Sequence, residues 1–497
     1  MKNFQLNFVT NKSKVRWIQI LNYLEKHSVA TSQELSEYLE ISQRTVITEV
    51  LTLKEDFKTV IDLISSPAGY HFTKLSSNQY LEKKRSILQD EPLFVIMEAL
   101  FYNDLHSVGD WAERLYISEK TLINHLGKVK KELNTLNLDL SVHPVNIIGS
   151  EIDIRYFFTL FYYESDITPH TVFPPINAEE ATTEFMELID VDKFHSSSFS
   201  YFSYLLFISM ERIKQGKFVS IDLGLKKIIK KTRNYNKLLA ISQMIIRDHF
   251  EENLKEDEFV YMFTSLLTMR NLENLKKELN FVASYNHWPR IHTLAEDFQT
   301  KFDLSFNGDT KELIFIEAFF TVIKLKELIS ASTLKNMNDV TSFSKEKFKQ
   351  NYQSYYTFLK ENEDFKAEFS NDYLADITAN LVLFVETVKE TYWLNPQSIV
   401  FVFEGNHYIF QYFESTIKSI LGPHHNLYFP NERQLTSQYI KEHNIDIIVS
   451  NYPEVFSDDF DAKQILFNTI PDAEDWNRLF FTINPKIIAN YRITDQI

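Results

Sequence analysis

Two short segments of the sequence carry amide, hydroxyl and cationic side chains at matching positions. Side chains of these types can read DNA, because Arg and Lys suit guanine edges while Asn and Gln suit adenine. The candidate contact residues are Gln43, Arg44, Thr45, Thr48 and Lys54 in the first segment, and Lys120, Thr121, Asn124, Lys128 and Lys131 in the second. We therefore predict double-stranded DNA as the partner of both segments.

These segments belong to an internal repeat. Residues 31–57 match residues 107–133 at a constant offset of 76 positions. Matched pairs include Leu39 with Leu115, Ser42 with Ser118, Arg44 with Lys120, Ile47 with Ile123, and Phe57 with Leu133. Because apolar and hydroxyl positions match together, the repeat indicates a duplicated structural unit.

Each copy has the residue pattern of a helix-turn-helix motif. A hydroxyl residue followed three positions later by a carboxylate can cap a first helix, and a later Ser can cap a second. The capping residues are Thr31, Glu34 and Ser42 in the first copy, and Ser107, Asp110 and Ser118 in the second. In the second helix, apolar residues at three- and four-residue spacing would face the core and leave the polar face for the major groove. The alternative is a plain helical bundle with a solvated polar stripe.

The flanking residues favour the winged form of this motif. A helical pattern precedes each copy at residues 14–27 and 91–103, and β-branched residues around a turn follow at 60–75 and 136–150. We predict winged helix-turn-helix units over residues 1–76 and 77–165. Residues 80–88 between them favour a helix, so both units are expected to hold one DNA segment together.

The rest of the chain divides into helical and mixed parts. Residues 166–286 and 287–394 show helical periodicity, with breaks near Pro174 and Pro289. From residue 395 strand patterns alternate with helices, which indicates a small α/β domain with a largely parallel sheet over residues 395–497. The predicted fold is a mainly α multidomain protein with two winged helix-turn-helix units, two helical bundles and this C-terminal domain.

Composition sets limits on the class of protein. The chain has 497 residues and a net charge of −16, but residues 1–150 contain 17 Lys and Arg against 18 Asp and Glu, which leaves −15 for the acidic remainder. A near-neutral N-terminal third can still present basic helices to DNA. The absence of Cys excludes disulfides and thiol catalysis. With no apolar run long enough to span a bilayer and no secretion signal, we expect a cytoplasmic protein that does not contact membranes.

The layout resembles the Mga/AtxA family of virulence and metabolic regulators from Gram-positive bacteria. The resemblance covers essentially the whole chain, and the residues that carry it are LEISQRT at 39–45, LYISEKT at 115–121, ISMERIKQG at 208–216 and IDIIVSN at 445–451. It implies a transcription regulator, most often an activator, with two phosphotransferase-system regulation domains and a C-terminal domain like a sugar-transporter enzyme IIB. It also implies a homodimer or other homo-oligomer formed through the C-terminal region, and a link to carbohydrate status through phosphotransferase-system proteins.

The sequence departs from that pattern at the phosphorylation sites. Leu205 and Ser265 stand where the resembled regulation domains carry a phosphorylatable His. The enzyme IIB loop, residues 404–408, contains no Cys. His195, His287 and His292 remain as candidate phospho-regulatory residues.

Two alternatives to a DNA-binding regulator stay open at this point. A phosphocarrier-like component of the phosphotransferase system would need an acceptor in the enzyme IIB loop, where only His407 is available. An interaction scaffold would use its helix-turn-helix units on protein instead of DNA. The sequence lacks the common nucleotide-binding, hydrolase and metalloprotease motifs, so we expect no enzyme activity, no cofactor and no metal site.

Overall fold

The computed structural model of the chain describes residues 4–163, 172–188, 196–269, 275–304, 311–336, 338–392, 397–422 and 425–483. These residues form two compact units, Met1–Val385 and Glu386–Ile497. They contain 23 α-helices and nine strands. None of the helices in the described ranges is long and apolar enough to cross a membrane.

The first winged unit follows a short 3-10 helix at Phe4–Phe8. Its elements are α1 (Lys12–Lys26), β1 (Val29–Ala30), α2 (Ser32–Leu39), α3 (Gln43–Phe57), β2 (Ile61–Ser66) and β3 (Gly69–Lys74). The strands form an antiparallel sheet in the order β1-β3-β2. Gly69 joins the hairpin strands with φ +126°, and a side chain there would meet the Ala30 carbonyl oxygen, so the position requires glycine.

The second winged unit repeats this order with a shorter sheet. The connecting helix α4 (Ser77–Ser86) leads to α5 (Pro92–Phe101), α6 (Val108–Arg114), α7 (Glu119–Asn134), β4 (Asp139–Val142) and β5 (Val145–Ile148). The hairpin β4–β5 is antiparallel. Val145 N donates to the His106 carbonyl oxygen at 2.9 Å, in the place where β1 pairs with the hairpin of the first unit.

A series of helices follows the second wing. They are α8 (Glu151–Tyr162), α9 (Ile176–Leu188), α10 (Ser196–Lys214), α11 (Leu223–Ile229), α12 (Tyr235–Phe250), α13 (Glu256–Leu267), α14 (Leu275–Tyr285), α15 (Pro289–Lys301), α16 (Lys311–Ile329), α17 (Asn338–Lys347), α18 (Lys349–Glu361), α19 (Glu363–Glu368) and α20 (Leu374–Tyr392), with a 3-10 helix at Ala331–Leu334. Helix α9 begins directly after the predicted break at Pro174 and Pro175, and α15 begins at Pro289, within the second predicted break.

One apolar core joins the winged units to the helices α8–α14 and to part of α16. The cluster of buried side chains extends from Phe4 to Tyr285 and also includes Ala318, Leu325 and Ile329 of α16. Phe8 of the N-terminal 3-10 helix packs on Phe161 of α8, with ring centroids 5.0 Å apart. The N-terminal segment therefore fastens the first unit to the helix that follows the second wing.

The C-terminal unit is a small parallel sheet covered by helices. It contains β6 (Ser398–Val402), α21 (His407–Leu421), β7 (Asn426–Tyr428), α22 (Ser437–Glu442), β8 (Ile447–Ser450), β9 (Lys463–Leu466) and α23 (Ala473–Ile483), with 3-10 helices at Glu432–Gln434 and Pro453–Val455. The strand order is β7-β6-β8-β9 and every pairing is parallel. Separate apolar clusters cover the two faces of the sheet, as expected of a sheet buried on both sides.

The predicted fold class is confirmed: the chain is mainly helical, with helix-turn-helix units at the N-terminus and a small parallel sheet at the C-terminus. The division into five domains at the boundaries given above stays a prediction.

Candidate nucleic-acid interface

Both helix-turn-helix motifs begin with a complete capping box. In the first, Glu34 N donates to Thr31 Oγ1 at 3.1 Å, and Thr31 N donates to the Glu34 carboxylate at 2.7 Å. In the second, Asp110 N donates to Ser107 Oγ at 3.2 Å and Ser107 N to Asp110 at 3.1 Å. These backbone and hydroxyl hydrogen bonds hold the pKa values of Glu34 and Asp110 below their usual range. The first helices of the two motifs, α2 and α6, therefore begin with the same pattern of capping hydrogen bonds.

The turn between the helices also has the same geometry in both copies. Glu40 and Tyr116 occupy the left-handed region, with φ of 54° and 55°. The next residue closes the turn, because Ile41 N donates to the Ser36 carbonyl at 3.2 Å and Ile117 N to the Ala112 carbonyl at 3.0 Å. The duplicated sequence thus produces a duplicated turn at two non-glycine residues.

The second helix of each motif, α3 or α7, has one buried and one exposed face. Its first residues are fixed by a Ser cap: Thr45 N donates to Ser42 Oγ at 3.2 Å, and Thr121 N to Ser118 Oγ at 3.1 Å. The buried stripe consists of Val46, Val50, Leu53 and Phe57 in α3, and Leu122, Leu126, Val129 and Leu133 in α7. The opposite face of each helix is open to solvent.

The predicted contact residues lie on or beside these open faces. Gln43, Arg44, Thr48, Lys54, Lys120, Thr121, Asn124, Lys128 and Lys131 are exposed, and Thr45 is half-buried. The hydroxyls of Thr45 and Thr121 hydrogen-bond to the capping Ser hydroxyls at 2.9 and 2.8 Å, so both Thr residues also serve the helix start. Thr48 Oγ1 donates to the Arg44 carbonyl at 3.0 Å. Gln43 and Arg44 are the first two residues of α3, and Lys120 and Asn124 are exposed in the first two turns of α7.

The two faces differ in charge. Helix α7 presents Lys120, Lys128 and Lys131, whereas α3 presents Arg44 and Lys54. In the described part of the chain none of these five cations makes an ion pair, while the neighbouring Lys130 is held by Asp139 at 2.7 Å. Helix α3 also exposes Glu55 and Asp56. We therefore expect the second unit to supply more of the phosphate attraction.

A buried carboxylate that the sequence pattern did not reveal holds α3 against α1. Glu49 is 7% exposed, and its oxygens accept hydrogen bonds from Arg16 Nε at 2.7 Å and from Trp17 Nε1 at 2.6 Å. Ser13 Oγ donates to the same carboxylate at 3.2 Å. A Glu within an apolar stripe gives no sign of partners more than 30 residues away, so single-sequence reasoning could not find this contact.

The matching position in the second unit is His125, which is half-buried. Burial and the charge of Lys128 lower the pKa of His125, so its ring stays neutral near pH 7. The helices α3 and α7 therefore carry groups of different chemistry at the same position of the repeat.

The helix between the units is pinned to the first unit by a buried lysine. Lys84 of α4 is 3% exposed, and its Nζ donates to Asn22 Oδ1 at 2.7 Å and to Glu25 Oε2 at 2.9 Å on α1. A second link joins the units directly, because the buried Glu91 accepts a hydrogen bond from Thr10 N and lies 3.7 Å from Lys14 Nζ. These contacts hold the two winged units in a fixed relation.

The candidate phospho-regulatory histidines occupy different surroundings. His195 lies outside the described residues. His292 Nδ1 contacts Glu317 at 2.8 Å, and its Nε2 lies 3.4 Å from Glu296. The hydrogen bond to Glu317 and the charges of both carboxylates raise the pKa of His292. His287 is exposed, and burial together with the charge of Lys231 lowers its pKa.

Side-chain hydrogen bonds fix the loop after β6. Asn406 Oδ1 accepts hydrogen bonds from the Tyr408 and Ile409 amides at 2.9 and 3.4 Å, which caps the start of α21. Glu404 and Asn451 exchange two hydrogen bonds of 2.9 and 2.8 Å that lock the loop to the end of β8. His407 is exposed at the start of α21.

Comparison with known proteins matches both winged units to helix-turn-helix families. Residues 77–162 match the Mga helix-turn-helix domain, and residues 16–71 match a further helix-turn-helix domain. These two ranges contain α3 and α7 together with every predicted DNA-contacting residue.

Three regulators from Bacillus anthracis are similar over much of the chain. The anthrax toxin expression trans-acting positive regulator is 22% identical over 88% of this chain and 92% of its own length. The capsule synthesis positive regulator AcpB is 21% identical over 94% of this chain and 98% of its own. The capsule synthesis positive regulator AcpA is 24% identical over 66% of this chain and 72% of its own length. The resemblance to Mga/AtxA-like regulators is therefore confirmed: this chain carries the Mga helix-turn-helix domain and a second helix-turn-helix domain, and its homologues over most of its length are positive transcription regulators.

Proposed function

We propose that this chain is a transcription activator whose two winged helix-turn-helix units bind one segment of double-stranded DNA. The observation that carries the proposal is the repeated geometry of α3 and α7. Both helices have the same caps, turn and buried stripe, and both expose an Arg or Lys at the second helical residue. In the helix-turn-helix fold this end of the helix enters the major groove.

The contacts between the units support joint binding. Lys84, Glu91 and the shared core hold α3 and α7 in a fixed relation, so both recognition helices meet DNA as one body. A footprint on bound DNA is expected to exceed the length that a single winged unit covers. The wings have few charges at their tips (residues 66–69 and 142–145), so the phosphate contacts are expected mainly from the helices.

Activation is proposed from the relatives, which are named positive regulators of toxin and capsule expression. A promoter-binding activator acts in the cytoplasm, which is where we place this chain. Removing the chain from its host is expected to lower transcription of genes next to the bound sites. Unchanged or higher transcription of all of them would contradict activation.

The test of DNA binding uses Arg44→Ala and Lys120→Ala in the full chain. Both side chains lie off the buried stripe, so the fold is expected to remain intact. For each phosphate interaction that a variant removes, the slope of log affinity against log salt falls by about 0.9, whereas removing a base interaction costs roughly 1–3 kcal/mol at one base pair. Lys366→Ala is the matched control, since Lys366 is an exposed cation on α19 that pairs only locally with Glu363. Affinity that stays unchanged in the Arg44→Ala/Lys120→Ala double variant would refute the role of both helices.

We also propose that the chain forms a homo-oligomer through its C-terminal unit. Helix α21 exposes Tyr408, Tyr412 and Ile420, with exposed fractions of 79%, 67% and 47%. A dimer covering this face would bring four winged units together and raise their local concentration on DNA.

Coupling to phosphotransferase-system proteins is proposed through His287 in preference to His292. Both ring nitrogens of His292 face carboxylates, which would repel a phosphoryl group, whereas His287 has the cation Lys231 nearby. Labelling the chain with radioactive phosphoenolpyruvate and the general phosphotransferase enzymes tests this, with His287→Ala as the variant expected to lose the label. Label retained in that variant would refute the assignment, and no label in the wild type would refute the coupling.

A further inference from the structure

The DNA-facing sides of both recognition helices carry large apolar side chains that are exposed to solvent. Ile47 and Leu51 of α3 are 43% and 61% exposed, and Ile123 of α7 is 52% exposed. The contiguous apolar core of the described part of the chain does not include them. Single exposed apolar residues are common on protein surfaces, so exposure alone has no weight. Their position in the repeat is what needs an explanation.

Ile47 and Ile123 occupy the same place in the two copies. Each is the fifth residue after the capping Ser, and each lies between the polar residues proposed to contact DNA: Arg44 and Thr48 in α3, and Lys120 and Asn124 in α7. The cations Arg44 and Lys120 would draw this face of each helix toward the phosphate backbone. An apolar residue at the centre of a face that is attracted to DNA will be buried against base edges when DNA binds.

The major groove offers one apolar group to such a side chain. Thymine presents its C5-methyl group there, and no other base does. Leu51 follows Ile47 by four residues, a rise of about 6 Å along the helix. Two base-pair steps cover about 6.8 Å of the duplex, so two methyl groups can lie opposite the two side chains. In α7 the residue that matches Leu51 is Gly127, whose added Cβ would meet nothing within 4 Å.

We propose that Ile47, Leu51 and Ile123 are specificity-determining residues that contact thymine methyl groups in the major groove. The first unit then recognises two thymines about two steps apart, and the second recognises one. This inference rests on the proposed DNA-binding function and adds the base that the two helices select. The polar neighbours supply attraction and hydrogen bonds, while the apolar residues distinguish thymine from cytosine.

The test removes the methyl group and changes nothing else in the base pairing. Full-length protein first selects a bound duplex from a random-sequence DNA pool. That duplex is then synthesised with thymine, with deoxyuridine throughout, and with deoxyuridine at one position at a time, and affinity is measured by fluorescence anisotropy. Burial of one methyl-sized group gives roughly a fourfold change in affinity. We expect roughly fourfold weakening at three positions, two close together and one in the other half of the site.

Protein variants assign each position to a residue. Ile47→Ala, Leu51→Ala and Ile123→Ala should each weaken binding to the thymine duplex and abolish the effect of uracil at one position only. Leu75→Ala is the matched control: Leu75 is 59% exposed but follows β3, so its removal should leave the response to uracil unchanged. Because the variants lie off the buried stripe, circular dichroism should show no loss of helix.

The outcomes separate this inference from the function on which it rests. Equal affinity for the thymine and uracil duplexes would overturn the inference while leaving DNA binding established. Sensitivity to uracil that persists in all three Ala variants would also overturn it, because the methyl groups would then act through DNA shape. If the pool yields no bound duplex, the proposed DNA-binding function itself fails.

Discussion

Replacing Lys84 by Met tests whether the two winged units are held in a fixed relation. Lys84 joins α4, the helix between the units, to Asn22 and Glu25 of α1. Burial acts to lower the pKa of Lys84, and the contact with Glu25 opposes that effect. Burial acts to raise the pKa of Glu25, but Lys84, Tyr80 and Lys74 together hold it below its usual value. The pair is therefore charged and mutually dependent.

The expected cost follows from the burial of the two partners. Removing one partner of a fully buried ion pair costs about 3–5 kcal/mol. Here Glu25 is 22% exposed and keeps Lys74 at 3.5 Å, so its charge is not left alone after the change. We expect a cost of about 2 kcal/mol, which is below that of breaking a fully buried pair and similar to that of one hydrogen bond to a charged group. Local opening of α4 should then rise about 30-fold.

Hydrogen exchange of the α4 amides, followed by mass spectrometry, measures this opening directly. The matched control is Lys83→Met, one residue earlier on the same helix. Lys83 forms a surface ion pair with Asp56 at 3.1 Å, and pairs of that kind contribute about 1 kcal/mol or less. In Glu25→Gln/Lys84→Met, the loss of stability should be smaller than the sum of the two single losses, because Glu25 and Lys84 contact each other directly. Equal exchange in Lys83→Met and Lys84→Met would refute the view that Lys84 pins the connector.

Three further predictions concern other parts of the chain. The pKa of His292 is higher in the folded chain than in the unfolded chain, so His292 stabilises the fold below its unfolded pKa, and this contribution is lost as pH rises through its folded pKa. An NMR titration should show a lower pKa of His292 in Glu317→Gln than in the wild type. An unchanged pKa would contradict the contact with Glu317. Gly127→Ala should stabilise the chain by about 0.5–1 kcal/mol in urea unfolding, because the helix position is open and glycine is a poor helix former; destabilisation would show that the site is closed. Tyr412→Glu should reduce the mass in sedimentation, whereas Lys366→Glu at an exposed position of α19 should not; a Tyr412→Glu variant with the wild-type mass would exclude this face from the oligomer.

The local features of the interface could be predicted from the sequence because their causes are local. Capping residues act over three positions and the apolar stripe repeats every three or four, so α3 begins at Gln43 directly after its predicted cap. The repeat supported the helix assignments further, because each pair of capping residues occurs at the same position in both copies. Runs of β-branched residues around a turn likewise predicted both wings, and strand patterns that alternate with helices predicted the parallel sheet of the C-terminal domain.

The contacts that assemble these elements could not be predicted in the same way. Glu49 and Lys84 look like ordinary surface residues in the sequence, yet both are buried with partners on α1. The identity of a long-range partner depends on how helices pack, and no spacing rule specifies it. The exposed side chains Ile47 and Ile123 were matched to each other in the repeat, but their place on the open face needed the structure.

Helix α8 follows the second wing directly and is joined to two later helices by buried ion pairs. It begins at Glu151, three residues after β5 ends at Ile148. Its Arg155, 1% exposed, donates to Glu258 of α13 at 2.6 and 3.0 Å, and Glu151 accepts from Arg212 of α10 at 2.7 Å. Buried charges of this kind tolerate little displacement, because separating the partners leaves an unpaired charge in the core. A shift of α10 or α13 would therefore displace α8 or break these pairs, and we expect a displaced α8 to alter the position of β5, which ends three residues before it.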